Sequence, residues 1–188
     1  LIENKLGKNR VFGAVAQISC FKNNKNEIIH NGKLATFFVG SMSKKNVLVN
    51  KVEKFVQKQN LLGLDIRYTQ NIEEKIWDKF IFLSAYSGLT TLYCKTIGEI
   101  FEDSILKAMF IDAMQETYNL SLTMGVVYRK DPIENWLKKI PNMPYNMNSS
   151  MYLDFKNKKR LELNWLSGSV VKLGKKNKIS VLTHQRIL

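Results

Sequence analysis

Around Lys44 the apolar residues of this 188-residue chain change their spacing, and that change limits the fold more than any other feature. Before it, "VFGAVAQISCF" sets Phe12, Ala14, Ala16, Ile18 and Cys20 against Val11, Gly13, Val15, Gln17 and Ser19. A period of two predicts a strand. "NNKN" reads as a turn, "EIIH" as a second strand, "NG" as a tight hairpin turn and "KLATFFVG" as a third strand. Three antiparallel strands cannot cover their own apolar face, so they need a partner layer.

From Lys44 onward the period is helical. "KKNVLVNKVEKFVQKQ" gathers Val47, Leu48, Val52, Phe55 and Val56 on one side and lysines on the other. A short extended piece, "LDIRYTQ", leads to Asn71, an N-cap with Glu73 and Glu74 in the first turn, and the helix behind it runs to about Tyr93 across Gly88. "EDSILKAMFIDAMQETYNLSLTMG" starts at a capping Asp103 or Ser104, stops near Gly125 and is apolar on most sides, which predicts a central buried helix. "DPIENW" opens another, with Asp131 as cap and Pro132 in the first position. After the proline-punctuated "KIPNMPYNMN" come a short helix from about Asn148, a longer one through "ELNWLSGSVVKLGKK" and a last one from Ser180. The expected architecture is mainly α: a small β segment over residues 1–43, then a helical bundle over 44–188.

The net charge of +13 points to an anionic partner, such as nucleic acid, a phosphate-bearing cofactor or a carboxylate substrate. Lys156, Lys158, Lys159 and Arg160 crowd one segment, and Lys175, Lys176 and Lys178 another. Neither is interleaved with the aromatic platforms of a single-strand binder, so both read as solvated faces and nucleic acid is not expected. Cys20 and Cys94 lie far apart, which fits a reduced, cytoplasmic chain. His30 and His184 have no ligand cluster beside them, and no metal site is expected. The longest apolar stretches are broken by Asp78 and Lys79, so no membrane span is expected either.

Two charged residues stand out. Lys79 sits inside a strongly apolar helix, either as a desolvated ammonium near a cleft or as a stem that runs past apolar surface to water. Glu162 is either a surface carboxylate or half of a salt bridge.

Four pieces of the chain resemble the latter part of the ketopantoate (2-dehydropantoate) reductases. "WDKF" followed by "GLTTL" and "IGEI" is similar to the family's lysine-bearing helix. "NSSMYLD" and "LELNWLSGSVV" are similar to its closing segment, "GKNRVFGAVAQISC…EIIHNGKLATFFVG" to the last strands of its cofactor domain, and "NKISVLTHQRIL" to its final helix. The resemblance implies a helical bundle like the C-terminal domain of 6-phosphogluconate dehydrogenase. The strands before it would be the trailing β segment of a Rossmann-type dinucleotide-binding domain.

It also implies chemistry: NADPH delivers a hydride to the ketone of ketopantoate, in pantothenate biosynthesis, or to a related 2-keto acid. The family's catalytic lysine falls on Lys79 and its substrate-binding serine on Ser150. Its glutamate, which serves catalysis and the cofactor, falls on Glu162. The two asparagines that grip the substrate fall on Leu83 and Ser87. Leucine neither donates nor accepts a hydrogen bond, so a different keto acid is expected to fit. No G-x-G-x-x-G occurs among the ten glycines. The expectation is therefore a truncated reductase, inactive without its N-terminal dinucleotide-binding domain and NADP, with a homodimer left open. The alternative is a helical interaction or dimerisation module that keeps the fold without the reaction.

Overall fold

The computed structural model describes residues 2–23, 25–43 and 45–188. Leu1, Asn24 in the expected turn and Lys44 at the expected change of period lie outside the described residues. The chain gathers into two compact units, Leu1–Ile76 and Trp77–Leu188.

The first unit begins with the helical turn α1 (Ile2–Leu6), followed by β1 (Phe12–Lys22) and β2 (Ile28–Ser41), which pair antiparallel from Phe12↔Ser41 to Lys22↔Ile28. The connection is closed by Asn23, whose Oδ1 accepts from Lys25 and Glu27 N–H at 2.9 and 3.0 Å. Asn26 takes φ 64°, a left-handed conformation that asparagine tolerates. The expected hairpin at "NG" does not form, because β2 runs unbroken through it. Gly32 keeps the positive φ (81°) such a turn needs but spends it on an irregularity, where the register jumps from Ile18↔Ala35 to Cys20↔His30. Ile28–His30 pair with β1 rather than folding back on their own continuation.

The extended "LDIRYTQ" supplies a third strand, β3 (Asp65–Tyr68), parallel to β2 in the order β1-β2-β3. Parallel neighbours need a crossover, which is α2 (Val49–Leu61). Asn60 at its end locks β3 with a two-way amide bond to Ile66, 2.9 Å each way. Gly13 and Gly40 face each other on β1 and β2 beneath the first turn of the next helix. A Cβ on Gly40 would lie 2.7 Å from Ile72 Cβ and would strike the Thr69 carbonyl; one on Gly13 would lie 2.9 Å from Met42 Sδ. Gly40→Ala is expected to destabilise this unit by about 1–2 kcal/mol, since the backbone at Thr69 has to shift. A circular-dichroism melt measures it; an unchanged midpoint would show that the turn at Thr69 yields freely.

α3 (Ile72–Tyr93) starts in the first unit, where Glu74 N–H donates to the capping Asn71 Oδ1 (3.2 Å), and continues through the second. There follow α4 (Ile97–Glu102), α5 (Ser104–Thr123), α6 (Pro132–Lys139), α7 (Ser150–Lys156), α8 (Ser167–Asn177) and α9 (Leu182–Ile187). α4 was not expected, although its capping box is legible as T-x-x-E: Thr96 Oγ1 accepts from Glu99 N–H, and Glu99 Oε2 from Thr96 N–H at 2.7 Å. Asp103 and Asp131 cap α5 and α6 as the sequence predicts.

The central buried helix is α3 rather than α5. α5 turns Lys107, Asp112, Gln115 and Asn119 to solvent, and its Ile105 is exposed, whereas Ile81–Thr90 of α3 is buried at every residue but Leu83. The main core joins Ile81, Phe82, Ala85 and Leu89 of α3 to Phe110 and Met114 of α5. Gly88 is required within α3 because a Cβ there would lie 2.8 Å from Ile187 Cγ2 and 3.3 Å from Ser167 Oγ. The long helix expected through "ELNWLSG" begins only at Ser167. Glu162–Leu166 form a turn in which the Glu162 carbonyl accepts from Trp165 and Leu166 N–H at 2.9 and 3.1 Å.

α9 is capped across the fold by Glu116, whose carboxylate accepts from Thr183 and His184 N–H at 2.6 and 3.0 Å. His184 is fully buried, with Nε2 2.9 Å from Thr117 Oγ1 and 3.0 Å from the Ala113 carbonyl, while Nδ1 has no partner. A second proton would have to sit on that unpartnered nitrogen. Burial accordingly lowers its pKa from 6.5 to about 4. As pH falls from 6.5 to 4 the unfolded chain takes up a proton that the folded chain refuses, so stability is lost across that window, by roughly 3 kcal/mol in all. Denaturant melts at pH 7 and pH 4.5 should show this loss, and His184→Gln should flatten it.

Candidate active site

α3 brings three of the singled-out residues onto one stripe: Lys79, Leu83 and Ser87, at successive spacings of four. Lys79 is half-buried, one residue beyond Asp78, whose carbonyl accepts from the Trp136 indole N–H at 3.0 Å. That bond ties α6 to the turn carrying Lys79. Leu83 is half-buried and packs against the main core from its edge, while Ser87 is buried, 4% exposed. Behind the stripe, Trp136, Phe82 and Tyr86 form a column of rings, with centroids 4.2 and 5.1 Å apart. The Tyr86 hydroxyl is buried without a hydrogen-bond partner, and burial pushes its pKa up.

The two serines of "NSSM" have separate tasks. Ser149 is buried and caps α7, its Oγ accepting from Tyr152 N–H at 3.1 Å. Its Oγ also lies 2.7 Å from Thr90 Oγ1, which itself donates to the Tyr86 carbonyl at 2.6 Å. The Thr90 proton being spent on that carbonyl, Ser149 is the donor to Thr90, and its one proton is committed there. Ser150, the first residue of α7, is exposed and stands outside this relay. The sequence reading did not find Thr90 or the capping role of Ser149. The usable signal was the preference for serine just before a first turn.

Glu162 is exposed at the start of the turn before α8. Arg160 stacks over the Trp165 ring at 4.8 Å across it. The next residue, Leu163, packs against the same core as Leu83, and Ser167 meets α3 at Gly88. The structure thus brings Ser150 beside the C-terminal half of α3 through Ser149 and Thr90, and the Glu162 turn beside it through Leu163 and Ser167. Lys79 lies further along the helix, eight residues before Ser87, or about 12 Å along the axis. Among the described residues no group of three or more His, Cys, Asp or Glu is placed to hold a metal ion, and no helix is long and apolar enough to cross a membrane.

Comparison with known proteins gives the class first. The chain shares its fold with solved structures of a 2-dehydropantoate 2-reductase and a D-mandelate dehydrogenase. A 2-dehydropantoate 2-reductase from Geobacter metallireducens GS-15 matches 99% of this chain and 61% of its own (TM-score 0.87, 17% identity). D-mandelate dehydrogenase, solved as a ternary structure with NADH and anilino(oxo)acetate, matches 99% and 60% (TM-score 0.85, 16% identity). An uncharacterized oxidoreductase, YkpB, of Bacillus subtilis strain 168 is 24% identical over 169 residues, 90% of this chain and 55% of its own. The sequence profile described as "Ketopantoate reductase PanE/ApbA C terminal" matches residues 71–188, more than half of the chain. The chain belongs to the ketopantoate reductase family. It spans a little over half the length of that first relative.

Proposed function

We propose that this chain is the substrate-side part of an oxidoreductase that reduces a small 2-keto acid with hydride from NADPH. The observation that carries the reading is that the one partly open window in the Ile81–Thr90 run of α3 adjoins the half-buried Lys79, with the exposed Ser150 and Glu162 held at the helix's other half. In a chain of this family a nicotinamide cofactor supplies the hydride when bound. The residues present do not make its cradle, for no G-x-G-x-x-G occurs and the β2–α2 connection carries "MSKKNVL" instead. The steps assigned to this chain are therefore those of the substrate and the proton. As the ketone carbon gains the hydride, charge builds on its oxygen, which the Lys79 ammonium stabilises and protonates. Ser150 and Glu162, at the other half of α3, are the residues that the family resemblance assigns to the substrate carboxylate and to the charge of the ammonium.

The test joins the chain to a dinucleotide-binding half, from its own reading frame or from a relative, and follows NADPH absorbance with a panel of 2-keto acids. Oxidation that depends on keto acid supports the reading. If none of the panel is reduced, the helical interaction module replaces it.

A further inference from the structure

We infer that the outward face of α2 and the turn behind it form a peripheral docking surface for an anionic lipid bilayer. The turn "NLLGLD" joins α2 to β3 and carries three leucines, of which Leu61 is 87%, Leu62 70% and Leu64 49% exposed. Leu61 is the most exposed large apolar side chain among the described residues, and none of the three belongs to either core cluster. The turn cannot fold them inward. Gly63 holds φ 89°, its N–H donates to the Asn60 carbonyl at 3.1 Å, and Leu64 N–H donates to the Gln59 carbonyl at 3.2 Å. The two-way bond between the Asn60 amide and Ile66 closes the turn from the other side. Apolar surface held out on a braced tip loses its water only to a partner that comes to it.

Charge selects that partner. Lys51, Lys54 and Lys58 follow one another at spacings of three and four, all exposed, on the face opposite the buried Val56. None of the three makes an ion pair among the described residues, and Glu53, the one acid of α2, is half-buried. Exposed leucines beside unpaired ammoniums fit a surface that is anionic at its rim and apolar within, which is the order of a bilayer of acidic lipids. α2 is about 20 Å long and would lie along the interface, lysines at the headgroups and the leucine tip below them. Further strands of an open sheet add at its edges, beside β1 or β3, and leave this face of a crossover helix uncovered. The surface is separate from the keto-acid reaction, and testing it needs no turnover.

The experiment is sedimentation of the full chain with sucrose-loaded vesicles of phosphatidylcholine, alone or mixed with phosphatidylserine. The mixed vesicles are expected to bind about 100-fold more tightly, since each lysine near an anionic surface contributes about fivefold. A chain of net charge +13 adsorbs to anionic vesicles by charge alone, so the leucines decide. Leu61→Ser with Leu62→Ser leaves every charge in place and should weaken binding to mixed vesicles at least about tenfold. Lys54→Gln with Lys58→Gln should weaken it about 25-fold. Lys175→Gln with Lys176→Gln removes the same charge from α8 and should leave binding within about threefold. All six side chains are exposed, so the fold is kept. Mixed vesicles that hold the serine pair as tightly as the wild type, or no binding to either vesicle, overturn the inference. So does a wild-type chain that is a dimer in solution and that the serine pair dissociates, for the leucines would then face a second copy.

Discussion

Lys79→Ala is expected to lower kcat/KM for keto-acid reduction by about 10²- to 10⁴-fold, the range that a positioned general acid contributes. The fold should survive, because Lys79 is only half-buried and the core packing of α3 is carried by Ile81, Phe82, Ala85 and Leu89. Lys79→Met keeps the aliphatic stem and removes the charge, so it should be as inactive as the alanine variant and at least as stable. Three readouts separate chemistry from structure. Loss of an interaction made chiefly in the transition state lowers kcat and kcat/KM together. Added methylamine should restore part of the alanine variant's rate and none of the methionine variant's, since only the first leaves room for a free ammonium. The melting midpoint should stay within about 1 °C, the shift that a few tenths of a kcal/mol produces in a chain of this size. Wild-type turnover in Lys79→Ala would remove the lysine from the reaction, and with it the case for the stripe as an active site.

The parts of this fold that were legible in the sequence are those fixed by near neighbours. Asn71, Asp103 and Asp131 were readable as caps because a cap needs only the next two or three N–H groups, and each makes those bonds. The alternation of β1 was readable for the same reason. What misled was chemistry that serves two conformations equally. "NG" satisfies a tight turn and a strand irregularity alike, and the choice fell to pairing with β1. "LDIRYTQ" became a strand only because β2 lies beside it. The relative burial of α3 and α5 depended on how many neighbours each acquired, which apolar content cannot distinguish. In the site, the residues on α3 were spaced legibly, but the division of labour between Ser149 and Ser150 was set by Thr90, fifty-nine positions away from Ser149 in the chain. Glu116, capping α9 from α5, had no local signal at all.

Phe110→Ala is expected to destabilise the second unit by about 3–5 kcal/mol, a large share of what a domain of this size possesses. Phe110 is fully buried on α5, edge-on to Phe101 at 5.2 Å and tilted against Phe82 at 6.1 Å. Removing the ring deletes one wall around Phe82, the middle member of the Trp136–Phe82–Tyr86 column. The cost therefore spreads toward the site: Trp136 is the residue that donates to the Asp78 carbonyl next to Lys79. Phe110→Leu, which leaves a smaller cavity, should cost about 1–2 kcal/mol and spare the rate. The chain offers a clean probe, because its three tryptophans, Trp77, Trp136 and Trp165, all belong to the second unit. Tryptophan fluorescence in a urea titration should shift to a lower midpoint in Phe110→Ala and stay put in Gly40→Ala, whose lesion lies in the sheet. A Phe110→Ala chain with an unmoved fluorescence midpoint would mean that this ring does not hold the column in place. Lys79 would then owe its position to α3 alone.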